Sequence, residues 1–146
     1  MILYTIGFTQ KTARQFFEVI RTNEIKLLID VRLNNVSQLA GFSKGNDLAY
    51  FLSEICDCDY IHRIDFAPSK EILDGYKEKK IAWPDYEKQY KLLIENRKSI
   101  SGFVEKYEKY QKICLLCSEP TAVNCHRRLL AELITNQYPQ ITVKHI

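Results

Sequence analysis

The densest group of reactive side chains lies between positions 117 and 127, in the pattern Cys-x-Glu-x5-Cys-His-Arg. Asn124 can cap a helix, which would place Cys125 in the first helical turn. Free backbone N–H groups and the positive end of the helix dipole stabilise a thiolate or a bound anion there. Arg127 adds positive charge to the same turn. The pattern predicts a nucleophilic cysteine or an anion site; a small buried Cys125 without a chemical role is the simpler alternative.

Cys117 and Glu119 are two residues apart, so in an extended segment their side chains face the same side. A thiol beside a carboxylate can form an acid/base pair, and Glu119 is a candidate general base on water. The alternative is a core cysteine followed by an acidic residue at a helix start. We predict catalytic roles for four residues: Cys117, Glu119, Cys125 and His126.

Cys114 and Cys117 form a Cys-x-x-Cys pair inside a predicted strand. A spacing of three places the two thiols on opposite faces, so we predict no redox pair. Zinc needs three or four Cys or His ligands. The available candidates are Cys117, Cys125, His126, His62 and His145. Their spacing matches no usual zinc motif, so the sequence predicts no metal site and no cofactor.

Polar and small residues also follow other predicted strands. Gly7 lies in a turn that resembles half of a phosphate-binding turn, a motif of low specificity. Asp30 could hold a ribose hydroxyl, orient Arg32 or take a proton; a local ion pair of little energetic consequence is the alternative. We predict ligand contacts from nine residues: Thr5, Gly7, Thr9, Asp30, Arg32, Ser37, His62, Arg127 and His145.

Strand-like and helix-like segments alternate along the chain. Short apolar runs predict five strands, at 2–7, 25–31, 59–64, 113–117 and 141–146. Apolar, non-alternating strands separated by helices indicate a parallel sheet covered on both faces. We therefore predict an α/β fold: a single three-layer domain over residues 1–146 with a mainly parallel, five-stranded, Rossmann-like sheet. Right-handed crossovers then bring the C-terminal ends of all strands, and with them all three histidines, to one edge.

Helices between the strands are predicted from apolar residues at helical spacing and from capping residues. The first spans about 9–23. Five residues are predicted at helix starts: Asn46, Ser69, Pro84, Ser101 and Asn124. The tyrosines between positions 76 and 110 could stack on bases, but we predict that they pack between helices. They are Tyr76, Tyr86, Tyr90, Tyr107 and Tyr110.

Composition narrows the function classes. The 146 residues carry a net charge of +3, which is too small to establish nucleic-acid binding. The odd number of cysteines, together with an N-terminus that runs directly into a strand pattern, favours free thiols in a reducing compartment. We therefore expect a cytoplasmic protein. No apolar run reaches 18 residues, so we expect no membrane span, and no pattern specifies an oligomeric state.

Nearly the whole chain resembles the family with domain of unknown function 488 (DUF488). The resemblance rests on Thr5-Ile6-Gly7, Asp30-Val31-Arg32 with Ser37, Phe42, Tyr60-x-His62, Ala67 to Leu73, Cys117-Ser118-Glu119-x5-Cys125-His126-Arg127 and His145-Ile146. It implies a compact α/β domain with a site at these positions and a link to nucleotides or nucleic acid. Gly7-Phe8-Thr9 stands where the family tends to have Gly-His-Ser. If that histidine is a catalytic base, this chain uses His62, His126 or His145 instead, or is not an enzyme.

Three hypotheses follow. The first is an enzyme, a hydrolase or group transferase, that acts on a phosphate-bearing, nucleotide-like or nucleic-acid substrate whose charge Arg32 and Arg127 neutralise. Cys125 or Cys117 would be the nucleophile, or Glu119 the general base on water. The second is a non-catalytic binding module for the same ligands with structural cysteines, which the loss of the histidine favours. The third is a small metal-site protein. The expected partner is a small phosphate-bearing ligand or a nucleic acid, and not a membrane.

Overall fold

A computed structural model of the chain describes residues 1–36 and 40–146. The strands are β1 (Ile2–Gly7), β2 (Leu27–Asp30), β3 (Asp59–His62), β4 (Lys112–Cys117) and β5 (Thr142–His145). The helices of the described residues are α1 (Ala13–Thr22), α2 (Gly45–Cys56), α3 (Lys70–Lys77), α4 (Trp83–Arg97), α5 (Phe103–Tyr107) and α6 (His126–Gln137). All five predicted strands are confirmed, and their ends agree within two residues. None of the described helices is both long and apolar enough to cross a membrane.

The strands form one parallel sheet in the order β3-β2-β4-β1-β5, so the predicted three-layer α/β fold is confirmed. β1 pairs with β4 from Ile2 opposite Lys112 to Gly7 opposite Cys117, and it pairs with β5 on its other side. Because the strands all run in one direction, their C-terminal ends meet at one edge. The central positions of that edge belong to β2, β4 and β1.

Two hydrophobic clusters cover the two faces of the sheet, because successive side chains of a strand point to opposite sides. Ile6 and Leu116 pack with α1 and α2 on one face. Leu3 and Leu115 pack with α3 to α6 on the other face. Each such fully buried side chain stabilises the fold by about 1.5–3 kcal/mol. Right-handed crossovers explain the division of the helices, since β1 to β3 advance one way across the sheet and β3 to β5 advance the other.

Two predicted helix starts are confirmed and three are wrong. Ser69 caps α3, where its hydroxyl accepts from the N–H of Ile72 at 3.2 Å, and Pro84 lies in the first turn of α4. The observed N-caps are Lys44, Gly102 and Cys125 where the sequence predicts Asn46, Ser101 and Asn124. Contacts distant in sequence move these starts; the N–H of Gly45, for example, donates to the carbonyl of Asn35 at 2.7 Å.

The cysteines divide between the two faces of the sheet. All five lie among the described residues and are buried, and none is joined in a disulfide. Cys56, Cys58 and Cys114 belong to the cluster beside α1 and α2. Cys117 and Cys125 belong to the cluster on the opposite face. The predicted opposite orientation of Cys114 and Cys117 is confirmed.

Candidate functional site

A pocket of about 690 Å³ opens at the C-terminal edge of the sheet. The loops after β1, β2 and β4 form its floor because these strands are neighbours in the centre of the sheet. The connection after β1 runs to one face of the sheet and the connection after β4 runs to the other. Ligand pockets form between neighbouring strands whose connections diverge in this way. The predicted site residues that line it are Thr9, Arg32, Cys117, Glu119, Cys125 and His126.

Arg32 is a buried cation in the pocket wall, only 3% exposed. Its Nε and Nη2 donate to the two carboxylate oxygens of Asp30 at 2.8 and 2.6 Å, and Nη2 also donates to the carbonyl of Ser43 at 2.7 Å. The hydroxyl of Tyr60 donates to Asp30 at 2.7 Å, and the guanidinium lies over the ring of Phe8. Nη1 has no partner among the described residues. An unpaired buried N–H costs about 1–3 kcal/mol, which an acceptor in the pocket would recover.

Cys117, Cys125 and His126 meet at the floor of the pocket. Cys117 is the last residue of β4 and Cys125 is the N-cap of α6, so a strand end and a helix start fix their positions. The Sγ of Cys117 lies 3.6 Å from Nδ1 of His126. The Nε2 of the same ring lies 2.8 Å from the carbonyl of Val31. The two Sγ atoms and one imidazole nitrogen all lie within 4.8 Å of one another.

The two thiols of this floor differ in acidity. A hydrogen bond from Cys125 lowers the pKa of Cys117, and the charge of Arg127 and the N–H groups of Ser118 and Glu119 act in the same direction, against the effect of burial. The same hydrogen bond, together with burial, raises the pKa of Cys125. Cys117 is therefore the more acidic thiol of the pair. The sequence pattern left the nucleophile open between the two cysteines and assigned the thiolate-stabilising helix turn to Cys125.

Arg127 and Gly7 lie beneath the loop after β4, and neither lines the pocket. The Nη1 of Arg127 donates to the carbonyl of Glu119 at 2.7 Å and to the Sγ of Cys125 at 3.3 Å. A Cβ at Gly7 would come 1.6 Å from the same Glu119 carbonyl oxygen. Gly7 therefore permits close approach of two backbones, and Arg127 fastens the loop that carries Cys117 and Cys125.

Strand order separates the remaining predicted site residues. The Nε2 of His62 lies 2.7 Å from the carbonyl of Arg32 at the β3 end of the edge. The hydroxyl of Thr5 lies 2.6 Å from Nδ1 of His145 at the β5 end. Four strand spacings separate β3 from β5, roughly 19 Å, so the histidines share an edge without forming one cluster. Ser37 lies outside the described residues.

The second wall of the pocket is not predicted from the sequence. It consists of Pro68, Leu73, Tyr76, Lys77, Lys79 and Tyr86. These residues belong to the long connection between β3 and β4, which the strand-end argument does not examine. Tyr86 packs between helices as predicted, since its ring lies against that of Tyr76 in α3 with centroids 5.2 Å apart, but it also lines the pocket. Two sequence signals fall on this wall: the Ala67 to Leu73 segment of the family resemblance, and the base-stacking alternative for Tyr76 and Tyr86.

Comparisons with known proteins bear on the same positions. The sequence model of the family described as "Domain of unknown function DUF488" matches residues 12–134, which is most of the chain. The matched segment contains Asp30, Arg32 and the whole run from Cys117 to Arg127, but it does not reach Gly7. The resemblance identified from the motifs is confirmed. No curated protein and no solved structure matches the chain.

Proposed function

The chain belongs to the DUF488 family, and on that premise we propose that its pocket is the active site of a hydrolase or group transferase acting on a phosphate-bearing, nucleotide-like or nucleic-acid substrate. The observation that carries the proposal is the Nη1 of buried Arg32 in the pocket wall, which has no hydrogen-bond partner within residues 1–36 and 40–146. Arginine is suited to phosphate because its planar fork donates several parallel hydrogen bonds. Asp30 holds two nitrogens of this fork, so the third is presented in a fixed orientation.

Other features around the pocket favour an anion with a flat, partly apolar group attached. Lys77 and Lys79 line the second wall and add positive charge. The N-terminal turn of α6 reaches the floor with its free backbone N–H groups. Tyr76 and Tyr86 supply aromatic surface opposite, on which a base can stack. This combination supports a nucleotide-like substrate over inorganic phosphate alone.

Glu119 is the general base in this proposal. The pKa of Tyr86 is raised by burial, by the thiols of Cys117 and Cys125, and by the carboxylate of Glu119. The carboxylate and the two thiols therefore lie near the same part of the pocket. Glu119 takes the proton of the attacking oxygen, and the scissile bond lies over the floor formed by Cys117, Cys125 and His126. Water as the acceptor gives hydrolysis, and a substrate hydroxyl as the acceptor gives group transfer.

Anion binding is tested with Arg32→Lys, which keeps the charge beside Asp30 but removes the third donor nitrogen. The control is Arg14→Lys, because Arg14 pairs with Glu18 on α1 and does not line the pocket. Inorganic phosphate, pyrophosphate, AMP, ATP and a short oligonucleotide are added to each protein in thermal denaturation. A ligand at 100 times its Kd stabilises by about 2.7 kcal/mol. We expect this stabilisation in the wild type and in Arg14→Lys and a clear loss of it in Arg32→Lys. Equal stabilisation of all three proteins would contradict the role of Arg32.

Turnover is tested with the probes that bind. Product release by the wild type and its loss in Glu119→Gln, with binding retained, is the expected result. Full activity in Glu119→Gln would remove the base role. Binding of a probe by the wild type with no turnover of any compound would instead support the alternative, a non-catalytic binding module.

A further inference from the structure

Three potential metal ligands face one another at the floor of the pocket. They are the thiols of Cys117 and Cys125 and the imidazole of His126, all buried. They come from a strand end and from the first residues of a 12-residue helix, elements that pack in the core. Ligands on such elements keep their positions without an ion present, which lowers the cost of binding one.

The imidazole of His126 is held in the tautomer that a metal requires. Its Nε2 lies 2.8 Å from the carbonyl oxygen of Val31, which can only accept, so Nε2 carries the proton. In this tautomer the lone pair of the ring is on Nδ1, the nitrogen that lies 3.6 Å from the Sγ of Cys117. A backbone carbonyl that holds the far nitrogen of a ligating histidine is the usual partner outside a metal's ligand shell.

The spacing of the ligand atoms fits a tetrahedral ion. Zn–S and Zn–N bonds of about 2.3 and 2.05 Å give an edge of about 3.6 Å between sulfur and nitrogen at the tetrahedral angle. The observed separation between the Sγ of Cys117 and Nδ1 of His126 is 3.6 Å. The second sulfur lies within 4.8 Å of both, against a tetrahedral sulfur–sulfur edge of about 3.8 Å.

Charge around the three residues also suits two thiolate ligands. The Nη1 of Arg127 donates to the Sγ of Cys125 at 3.3 Å. Arg32 lines the same pocket, and its Nη1 has no partner in the part of the chain that the structure describes. Two thiolates neutralise a divalent cation, and these arginines stabilise the thiolates without competing for the ligand position.

We propose that Cys117, Cys125 and His126 bind one thiophilic divalent cation, zinc by preference, with its remaining coordination position open to the pocket. Sulfur ligands favour zinc over magnesium or calcium, and three protein ligands with one open position are the arrangement of a catalytic site. The ion supplies a Lewis acid at the floor where the scissile group lies. The inference departs from the sequence prediction of no metal site, which rested on spacing along the chain. It takes up instead the third hypothesis, a metal site, with three of the five candidate ligands. For its catalytic consequence it rests on the proposed function; the binding itself does not.

The test is a titration of the full chain with Co²⁺, a coloured substitute for zinc, after reduction of the thiols and removal of metal with a chelator. We expect one equivalent of Co²⁺ to produce a thiolate charge-transfer band and the visible bands of a tetrahedral ion, and Zn²⁺ to abolish both. Cys117→Ser, Cys125→Ser and His126→Gln should each raise the Kd by more than about 100-fold, because the loss of a group that only orients a ligand can by itself raise it by up to about 100-fold. Cys114→Ser is the matched control, because Cys114 is buried on the same strand and faces the other way.

Three results would overturn the proposal: no bands in the reduced wild type, bands that persist in the ligand variants, or bands lost equally in a folded Cys114→Ser protein. If the ligand variants do not fold, alkylation of the wild type provides the test. Bound Zn²⁺ must slow alkylation of Cys117 and Cys125 but not of Cys56. Fast alkylation of Cys117 that Zn²⁺ does not slow would point to a free nucleophilic thiol instead. No substrate enters these measurements, and phosphate binding through Arg32 is read separately, so failure of the metal site and failure of the proposed function are distinguishable.

Discussion

Individual side chains at the sheet edge hold charged groups in place through direct hydrogen bonds. Asp30 accepts from three nitrogens of Arg32, including its backbone N–H at 3.1 Å, and from the hydroxyl of Tyr60. A buried pair of this kind is weak evidence for stability, because desolvation of both charges offsets their attraction. Its effect is on orientation, since it fixes the guanidinium in the pocket wall.

A prediction at the same scale concerns Gly7. In Gly7→Ala the new Cβ would overlap the carbonyl oxygen of Glu119, so the loop that carries Cys117 and Cys125 must move. We expect the free energy of unfolding, measured by urea denaturation, to fall by about 1–3 kcal/mol, the usual cost of overpacking. Gly41→Ala is the control, because a Cβ there meets nothing within 4 Å, and it should change stability by less than about 0.5 kcal/mol. Equal effects would mean that backbone flexibility, and not the close approach, governs Gly7.

Helix starts show how far local sequence determines an element. Thr12 at α1 and Ser69 at α3 cap through their own side chains, as the local pattern requires. At α6, Cys125 takes the N-cap although its thiol makes no capping hydrogen bond. Its Sγ contacts Arg127 and Cys117 instead. The element therefore begins where tertiary contacts place it, one residue after the start that Asn124 predicts.

The free energy of unfolding should distinguish a serine that caps a helix from one that does not. Ser69→Ala should lower the free energy of unfolding by about 1 kcal/mol, because it leaves the N–H of Ile72 without its acceptor. Ser101→Ala should change it by less than about 0.5 kcal/mol, since Gly102 is the N-cap of α5. Chemical denaturation of both variants provides the comparison, and a larger loss for Ser101→Ala would contradict the observed start of α5.

At the scale of the whole molecule, the connection between β3 and β4 makes the pocket two-sided. It carries α3, α4 and α5, and Arg63, next to the end of β3, fastens it to the sheet. The Nη1 of Arg63 donates to the hydroxyl of Tyr107 at 2.6 Å, and Nη2 donates to the carbonyl of Ser99 at 3.2 Å. Its Nε and Nη2 also pair with Asp65. Without this attachment the second wall of the pocket would have no fixed position.

The attachment predicts a pH dependence. Hydrogen bonding and charge from Arg63 lower the pKa of Asp65, against partial burial. A carboxyl whose folded pKa is depressed stabilises the fold above its unfolded pKa, about 3.9, and this contribution is lost as the pH falls through the folded pKa. Asp65→Asn should therefore lower the free energy of unfolding near pH 7, by less than about 1 kcal/mol because the pair is partly exposed. Urea denaturation from pH 7 to pH 2 should show the difference from the wild type vanish at the acidic end. A difference that persists at pH 2 would assign the effect to packing.

Much of the fold follows from the sequence because it depends on local periodicity. The apolar runs 2–7 and 113–117 predict buried parallel strands, and the helical spacing between strands predicts the layers on both faces; both are observed. The resemblance to DUF488 also follows from short motifs at fixed spacing and is confirmed. That these motifs form a catalytic or ligand-binding site stays a prediction.

Only the tertiary structure decided which strand ends are neighbours. The sequence brings all strand ends to one edge, but the order β3-β2-β4-β1-β5 places Arg32 and Cys117 in the centre and sends His62 and His145 to opposite ends. Strand order is set by the packing of whole helices against the sheet, which no local window of sequence contains. For the same reason, the contact of His126 with Val31, 95 positions earlier, and the wall containing Tyr86 emerged only from the folded chain.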